Sequence, residues 1–300
     1  MSDLTAFTHQ AWQDHGDDPR GVADRLPQAL ALVADDNGLL GLIGLAHHVL
    51  GEHLGAWQEG LDYCEKLRAL PAFDARFFTG SSSAASLRRV QAALKLSGAL
   101  ADERAALSTS DQVRVTVMAA ANLASHDAAR AASLLQRACD DALAAALPAS
   151  DPAPRSIAAS ANGIAGTLEE KPARTSGETA LMLAAAEAAR RFWEIAGTWL
   201  EVERAEYRLA MSCTQAGQLE RARGHAQQCL AIVHAHDSVA LEAFFGFEAL
   251  AVVERAAGFE AAFAAAVSAA REAFARLSEG DVGWCRASLD KLLVGAPQSP

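Results

Sequence analysis

The sequence predicts an all-α protein, and more specifically an α-solenoid built from antiparallel helix hairpins. Alanine, the strongest helix former, is frequent in nearly every stretch of the 300 residues, whereas valine and isoleucine are sparse. Two stretches, 205–233 and 247–274, share one pattern at a spacing of about forty residues, so that Leu219 corresponds to Phe259. A pair of helices repeated at this spacing is typical of proteins in which successive hairpins stack on each other.

Apolar periodicity and turn residues place the helices along the chain. Asp18 and Pro19 form a start signal, with the acidic side chain as N-cap and the proline in the first turn. Residues 35–38, Asp-Asp-Asn-Gly, predict a turn, and residues 71–82 interrupt the helical pattern. One hairpin is expected within 38–70. Further helices are expected over 3–15, 19–34, 84–99, 111–125, 127–146, 155–169, 178–196, 198–216, 218–235, 238–257, 259–278 and 281–293.

A proline-rich segment divides the chain. Residues 148–154 contain three prolines, which one helix cannot accommodate throughout its length. We therefore predict an N-terminal helical-repeat block over 1–147 and a linker over 148–154. A C-terminal block over 155–300 follows and ends in a capping helix, which a stack of repeats requires for solubility.

One hairpin carries residues that allow a repeat family to be named. The stretch 54–61, LGAWQEGL, followed by Tyr63 and Leu67, resembles the turn and second helix of a tetratricopeptide (TPR) repeat. In that family a glycine closes the first helix and a small residue later permits tight hairpin packing. The same pattern recurs at Gly217, Leu219, Ala222, Phe259 and Ala262.

The resemblance implies a right-handed superhelix of hairpins, of the kind found in bacteria. In TPR-like proteins the first helix of each hairpin lines a concave groove, which binds a protein or peptide. This chain departs from the family in two respects. Its repeat spacing is nearer forty residues than thirty-four, and the final proline of the consensus is missing.

The resemblance also assigns candidate binding residues on the first helices. Helix 238–257 is apolar on two faces, so Phe244 and Phe247 are either groove residues or ordinary core residues. Asn162 is a candidate by position, because TPR-like proteins often use an asparagine of the first helix to hold a peptide backbone. The candidate groove residues are Asn162, Arg204, Tyr207, Met211, Phe244, Phe247, Glu254 and Arg255.

Three histidines form a second candidate site. His47, His48 and His53 lie on one predicted helix, next to Glu52. A helical metal site typically places two histidines four residues apart on one face. His48 and His53 are five residues apart, which separates them by about 140° around an α-helix. We therefore expect solvated or hydrogen-bonded histidines, and metal binding by His47, His48 and His53 is the alternative.

The net charge and the cysteine content limit the possible partners and the cellular compartment. A formal net charge of −11 argues against nucleic acid and against an anionic membrane. The five cysteines are scattered without a C-x-x-C motif, as expected for buried thiols in a reducing cytosol. No signal peptide opens the sequence, and no stretch reaches the ~18 apolar residues of a membrane helix. These features predict a cytoplasmic protein.

We expect a non-enzymatic scaffold that binds a protein or peptide in its groove without a cofactor. A homodimer is left open. Gly38, Gly41 and Gly44 do not predict a nucleotide loop, because no strand precedes them and no Gly-Lys-Ser/Thr follows. Two alternatives stand beside the scaffold. One is a ligand-sensing regulatory module that acts with a partner chain, and the other is a metal-binding protein that uses its N-terminal histidines.

Overall fold

The computed structural model describes residues 3–70, 82–237 and 239–294, which form helices and connecting turns without any strand. The all-α class predicted from composition and periodicity is therefore confirmed. Neighbouring helices along the chain pack against each other. The chain divides into two compact units, Met1–Ser160 and Ala161–Pro300.

Within the described part of the first unit, two 3-10 turns (Leu30–Leu32 and Arg104–Ala106) and one π-helical segment (His47–His53) accompany the α-helices. The last of these helices continues into the second unit. The helices are α1 (Asp3–Asp14), α2 (Pro19–Ala29), α3 (Asp36–Ala46), α4 (Trp57–Arg68), α5 (Ser82–Ser97), α6 (Thr109–Leu123), α7 (Ala128–Ala144) and α8 (Pro152–Glu170).

The second unit continues with helices that follow one another after short turns. Each packs against the next, and α10 also contacts α12, as α12 contacts α14. The sequence pattern predicted these helices to within a few residues at either end. They are α9 (Ser176–Ala196), α10 (Trp199–Gln215), α11 (Leu219–Ala235), α12 (Ala240–Ala256), α13 (Glu260–Phe274) and α14 (Glu279–Leu293).

Side-chain caps start α2 and α3. Asp18 accepts a hydrogen bond from the backbone N–H of Gly21 at 2.8 Å, as the start signal predicted. Asp35 accepts a hydrogen bond from the N–H of Gly38 at 2.7 Å in the same way. The four residues predicted as a turn at this point are therefore the N-cap and first turn of α3, because the carboxylate satisfies a free donor of the new helix.

The proline-rich segment predicted as a linker contains the start of α8. Pro152 and Pro154 lie in the first turn of this helix, where the backbone N–H has no intrahelical partner and proline is tolerated. Asp151 accepts a hydrogen bond from the N–H of Ala153 at 2.8 Å and caps the helix. Only residues 148–151 of the segment precede the helix.

Three hairpins turn at glycines with a left-handed backbone. Gly55 before α4 has φ 58°, Gly217 between α10 and α11 has φ 72°, and Gly258 between α12 and α13 has φ 74°. Residues with a Cβ rarely adopt this conformation, which explains the glycines. The similarity between the hairpins seen in the sequence thus extends to their turns.

Each unit has its own apolar core. In the first, Leu42, Leu50 and Leu67 are almost completely buried. In the second, Phe244 and Phe263 belong to a core cluster formed mainly by α12, α13 and α14. The interruption predicted at 71–82 falls, except for its last residue, outside the described residues. Within the described ranges, no helix has the length and apolar character that crossing a membrane requires.

Candidate functional site

A pocket of about 340 Å³ opens in the second unit between α10, α12 and α14. Its lining side chains follow helical spacing. Positions 203, 204, 207 and 208 lie on one face of α10, and positions 241, 242 and 245 lie on one face of α12. Asn162 of α8 and Trp284 of α14 complete the lining. The lining combines buried carboxyl groups, two arginines and three aromatic rings.

An ion pair joins α10 to α12 at this pocket. Arg204 donates two hydrogen bonds to the carboxylate of Glu242, at 2.7 Å from Nη2 and 3.3 Å from Nε. The Glu242 side chain is almost completely buried, whereas about half of the Arg204 side chain is exposed. The pair therefore holds a negative group inside the pocket and a guanidinium at its edge.

Glu203 is the most unusual side chain of the pocket. It is 1% exposed, and its Oε1 accepts a hydrogen bond from Sγ of Cys229 at 2.7 Å. Its Oε2 is buried without a hydrogen-bond partner. Burial, together with the neighbouring Glu242 carboxyl, raises the pKa of Glu203 to about 8. At neutral pH the group is therefore mainly a carboxylic acid, whose hydrogen either the Glu242 carboxylate or a bound ligand can accept.

Aromatic rings form one wall. The ring centroids of Phe245 and Trp284 are 5.1 Å apart, and those of Tyr207 and Phe245 are 5.8 Å apart. Trp284 is 66% exposed, which is unusual for an indole. Tyr207 donates its hydroxyl hydrogen to Oε2 of Glu248 at 3.1 Å, and burial raises the pKa of both groups. This bond fixes the tyrosine ring while the indole remains accessible.

Arg208 holds the side of the pocket next to α8. Its guanidinium binds the carboxylate of Glu169, which also accepts a hydrogen bond from the Ser212 hydroxyl. Burial raises the pKa of Glu169. The Nε of Arg208 is buried without a partner. The pocket thus contains two unpaired polar groups, this Nε and Oε2 of Glu203, and each such group costs about 1–3 kcal/mol when it stays unpaired.

Asn162, Arg204 and Tyr207, three of the groove residues predicted from the sequence, line this pocket together. Phe244 does not, because its side chain is completely buried in the core. Phe247 packs partly buried against the same core. Phe244 and Phe247 are therefore core residues and not groove residues, because α12 turns its other apolar face to the pocket.

The remaining predicted groove residues also lie outside the pocket lining. Met211 packs against a small cluster of alanines from α10, α11 and α12. Glu254 is buried and held by Arg223 through two hydrogen bonds of 2.7 and 2.9 Å. The guanidinium of Arg255 lies 5.5 Å from the ring centroid of Phe263. These contacts explain the three side chains by packing and pairing within the unit.

Six residues of the pocket lining are not among the predicted groove residues: Glu203, Arg208, Leu241, Glu242, Phe245 and Trp284. Two of them could have been recognised, because Glu203 and Glu242 occupy positions of α10 and α12 where helical spacing predicts an apolar side chain. Of the buried glutamates in this unit, several have a cationic partner, as Glu254 does. Spacing alone could not show which buried glutamate lacks a cation, because the cation that pairs with a glutamate such as Glu254 lies on another helix.

The N-terminal histidines are arranged differently from the prediction. The Nε2 atoms of His48 and His53 are 3.1 Å apart, although α-helical spacing predicts these rings on different faces. His15 joins them, whereas His47 is buried outside this group, with its Nδ1 3.8 Å from Oε1 of Glu52. Burial and the neighbouring imidazoles lower the pKa of His53 to about 4. The error arose because the segment is π-helical, so the α-helical angle did not apply.

Comparison with known protein families finds no family model that matches this chain. No curated protein matches it either. The TPR resemblance therefore stays a prediction that rests on the residues quoted above.

Proposed function

We propose that this chain is a TPR-like helical-repeat protein that binds a protein or peptide segment at the pocket between α10, α12 and α14. The proposal rests on a buried acid and an exposed aromatic ring that line the same pocket. A buried carboxyl group with a free oxygen, Glu203, lies in the same pocket as the exposed indole of Trp284. A ligand that forms a hydrogen bond with the Glu203 carboxyl and covers the Trp284 indole gains both that bond and apolar burial.

The repeated hairpins support the solenoid arrangement that this proposal includes. The first helices of two successive hairpins, α10 and α12, contact each other directly. Each hairpin turns at a glycine of equivalent conformation, Gly217 or Gly258. In TPR-like proteins contacts between first helices form the concave surface, and this pocket lies on the facing sides of α10 and α12.

The pocket suggests how a bound segment is held. An aromatic or aliphatic side chain of the partner packs against Trp284 and Phe245, as the anchor of a binding hot spot does. The protonated carboxyl of Glu203 donates to a carbonyl of the partner. The side-chain amide of Asn162 pairs with a backbone amide, since it offers both donors and an acceptor.

A peptide-display selection against the purified protein tests the proposal. We expect enriched peptides to share an aromatic or aliphatic anchor, and Trp284→Ala to weaken their binding about 30-fold or more, as loss of an aromatic anchor does. Phe259→Ala is the matched control, because Phe259 is also exposed, at 53%, but does not line the pocket. Fluorescence polarisation with a labelled peptide gives the dissociation constants.

The proposal fails if no peptide is enriched, or if the enriched peptides bind Trp284→Ala as tightly as the parent. Equal losses in Trp284→Ala and Phe259→Ala also contradict it, because they would indicate a general effect on folding. Circular dichroism of each variant measures that effect directly.

One observation favours the second candidate, a ligand-sensing module. The pocket volume of about 340 Å³ lies in the range of small-molecule sites. A small-molecule screen by thermal shift separates the two candidates. A compound that raises the melting temperature of the parent but not of Glu203→Gln, while no peptide is enriched, supports the sensor.

A further inference from the structure

The first unit contains a cluster of imidazoles that the proposed function does not use. His15 follows α1 directly, and His48 and His53 belong to the π-helical segment. One ring nitrogen of each histidine lies within 4.8 Å of the corresponding nitrogen of the others. All three side chains are partly exposed, so the cluster is accessible to a small ion from solvent.

The π-helical segment is what brings two of these rings together. Its backbone hydrogen bonds join residues five apart, as the N–H of Leu54 does with the carbonyl of Val49 at 3.0 Å. Residues five apart therefore lie on the same side of the segment. The ring centroids of His48 and His53 are accordingly only 4.6 Å apart.

Side chains outside the segment stabilise it. The indole N–H of Trp57 donates to the carbonyl of Gly51 at 3.2 Å. A ring nitrogen of His126 lies 3.2 Å from the carbonyl oxygen of Glu52. Carbonyl groups that a change of helical pitch leaves without regular partners thus find them in neighbouring side chains. The histidine arrangement is held by these contacts and does not depend on the histidines alone.

Hydrogen bonds also orient two of the rings. Nδ1 of His48 lies 2.7 Å from Oε2 of Glu52, and Nδ1 of His15 lies 2.7 Å from the backbone carbonyl oxygen of Trp12. Because a carbonyl oxygen can only accept, Nδ1 of His15 carries the hydrogen. The carboxylate of Glu52 favours the same tautomer of His48. Both rings therefore keep Nε2 without a hydrogen, in the form that binds a metal ion.

We propose that His15, His48 and His53 form a three-histidine site for a divalent transition metal, for which Zn²⁺ serves as the test ion. The set of three imidazole nitrogens suits Zn²⁺, Cu²⁺ or Ni²⁺ and not Mg²⁺ or Ca²⁺, which select oxygen ligands. Three protein ligands leave a fourth tetrahedral position for water or a small molecule. The site involves residues of the first unit only and is independent of the proposed function.

The distances are close to those that the ion requires. At Zn–N distances of 2.0–2.1 Å, two ligand nitrogens of a tetrahedral site are about 3.3 Å apart. The Nε2 atoms of His48 and His53 are already separated by 3.1 Å. The ligand nitrogen of His15 lies within 4.8 Å of the other two, so it has to approach by at most about 1.5 Å to reach the tetrahedral separation. In the free protein Nε2 of His53 donates to Nε2 of His48, so binding requires that His53 carry its hydrogen on Nδ1 instead.

Glu52 and Trp12 take supporting roles in this site. Glu52 is a positioning residue, because its carboxylate fixes the tautomer and the orientation of the His48 ring. The indole of Trp12 lies against both rings, with centroids 5.1 Å from His15 and 5.2 Å from His48. An open-shell ion such as Cu²⁺ bound there would quench the fluorescence of Trp12, which gives the site a spectroscopic readout.

Equilibrium dialysis of the purified full chain against Zn²⁺, with metal quantified by mass spectrometry, tests the inference. We expect one Zn²⁺ per chain, and each of His15→Ala, His48→Ala and His53→Ala to weaken binding at least 100-fold. His9→Ala is the matched control, because His9 is an exposed histidine on α1 outside the cluster, and should change the affinity less than twofold. Glu52→Gln should weaken binding 10- to 100-fold.

Two further measurements keep the test decisive if a variant unfolds. Cu²⁺ should quench the fluorescence of the parent chain, and Trp12→Phe, which leaves all three ligands in place, should lose most of the quenching while still binding one Zn²⁺. His47→Gln should retain Zn²⁺, because His47 lies outside the cluster. The inference is overturned if the parent binds no stoichiometric Zn²⁺ at micromolar concentration, or if His9→Ala loses as much affinity as His15→Ala.

Discussion

The thiol of Cys229 on α11 donates a hydrogen bond to Oε1 of Glu203 on α10, with 2.7 Å between sulfur and oxygen. Both residues are almost completely inaccessible to solvent. Since Oε2 of the same carboxyl has no partner, the thiol is the group that compensates the burial of Glu203. A cysteine and an acid on two neighbouring helices thus depend on each other.

Replacing this thiol should reveal the dependence. We expect Cys229→Ala to lower the free energy of unfolding by about 2–3 kcal/mol, because the carboxyl loses its donor as well as packing contacts. Cys229→Ser keeps a hydroxyl donor and should lose less than Cys229→Ala. Cys213→Ala is the control, since Cys213 is equally buried and makes no side-chain hydrogen bond within the described structure. Urea unfolding at pH 7 measures all three, and equal losses for Cys229→Ala and Cys213→Ala would remove the role of the bond.

The raised pKa of Glu203 predicts a pH dependence of stability. The folded chain keeps a proton up to about pH 8, whereas the unfolded chain releases it near the ordinary pKa of ~4.3. Between these values the folded state binds more protons, so the contribution of Glu203 to stability is complete at acidic pH and declines as pH rises. The slope is at most about 1.4 kcal/mol per pH unit.

Glu203→Gln removes this titration while keeping the shape of the side chain. Its stability relative to the parent should increase from pH 5.5 to pH 8.5, as urea unfolding at several pH values measures. Glu187→Gln, at an exposed glutamate, provides the control and should show no such trend. A difference between Glu203→Gln and the parent that stays constant with pH contradicts a raised pKa.

The half-buried ion pair between Arg204 and Glu242 should contribute to the stability of the chain. Arg204→Met leaves the Glu242 carboxylate buried without its cation and should lower the free energy of unfolding by about 1–3 kcal/mol. Adding Glu242→Gln in the same chain should recover most of that loss. The corresponding pair on the surface, Arg221 with Glu187, has half-exposed partners, and Arg221→Met should change stability by less than about 1 kcal/mol. A double-mutant cycle without recovery would mean that Arg204 contributes only packing.

Replacing Gly51 or Gly41 with alanine should change the stability of the chain in opposite directions. A Cβ at Gly51 would lie 2.7 Å from Oδ1 of Asn122, so Gly51→Ala should destabilise the π-helical segment by about 1–3 kcal/mol. A Cβ at Gly41, inside α3, meets nothing within 4 Å, so Gly41→Ala should stabilise the chain by up to about 1 kcal/mol. Thermal unfolding of both variants gives the comparison, and stabilisation by Gly51→Ala would disprove the close approach.

Most of the helices could be predicted from the sequence because their signals are local. Capping residues, apolar spacing and turn glycines act within a few residues, and Thr175 with Glu178 forms a capping box at the expected start of α9. The pocket could be predicted only in part. Whether Phe244 or Phe245 faces the core depends on how α12 packs against α10 and α14, and a helix that is apolar on two faces does not specify this.

The histidine cluster could not be predicted for a related reason. An α-helix is the default for a stretch such as 38–53, and nothing in the local spacing indicates a change of pitch. In the π-helical turn, Gly51 lies close to Asn122, which is 71 positions further along the chain and which local spacing does not report. The participation of His15 likewise depends on the packing of α1 against α3.

The change of pitch at His47–His53 also affects how this chain would vary in evolution. Five residues along a π-helix and four residues along an α-helix both return a side chain to the same face. Loss of a single codon between His48 and His53 would therefore straighten the helix and still leave the two imidazoles side by side. The spacing H-x-x-x-x-H in a π-helix and the spacing H-x-x-x-H in an α-helix are therefore equivalent ways to place two imidazoles side by side.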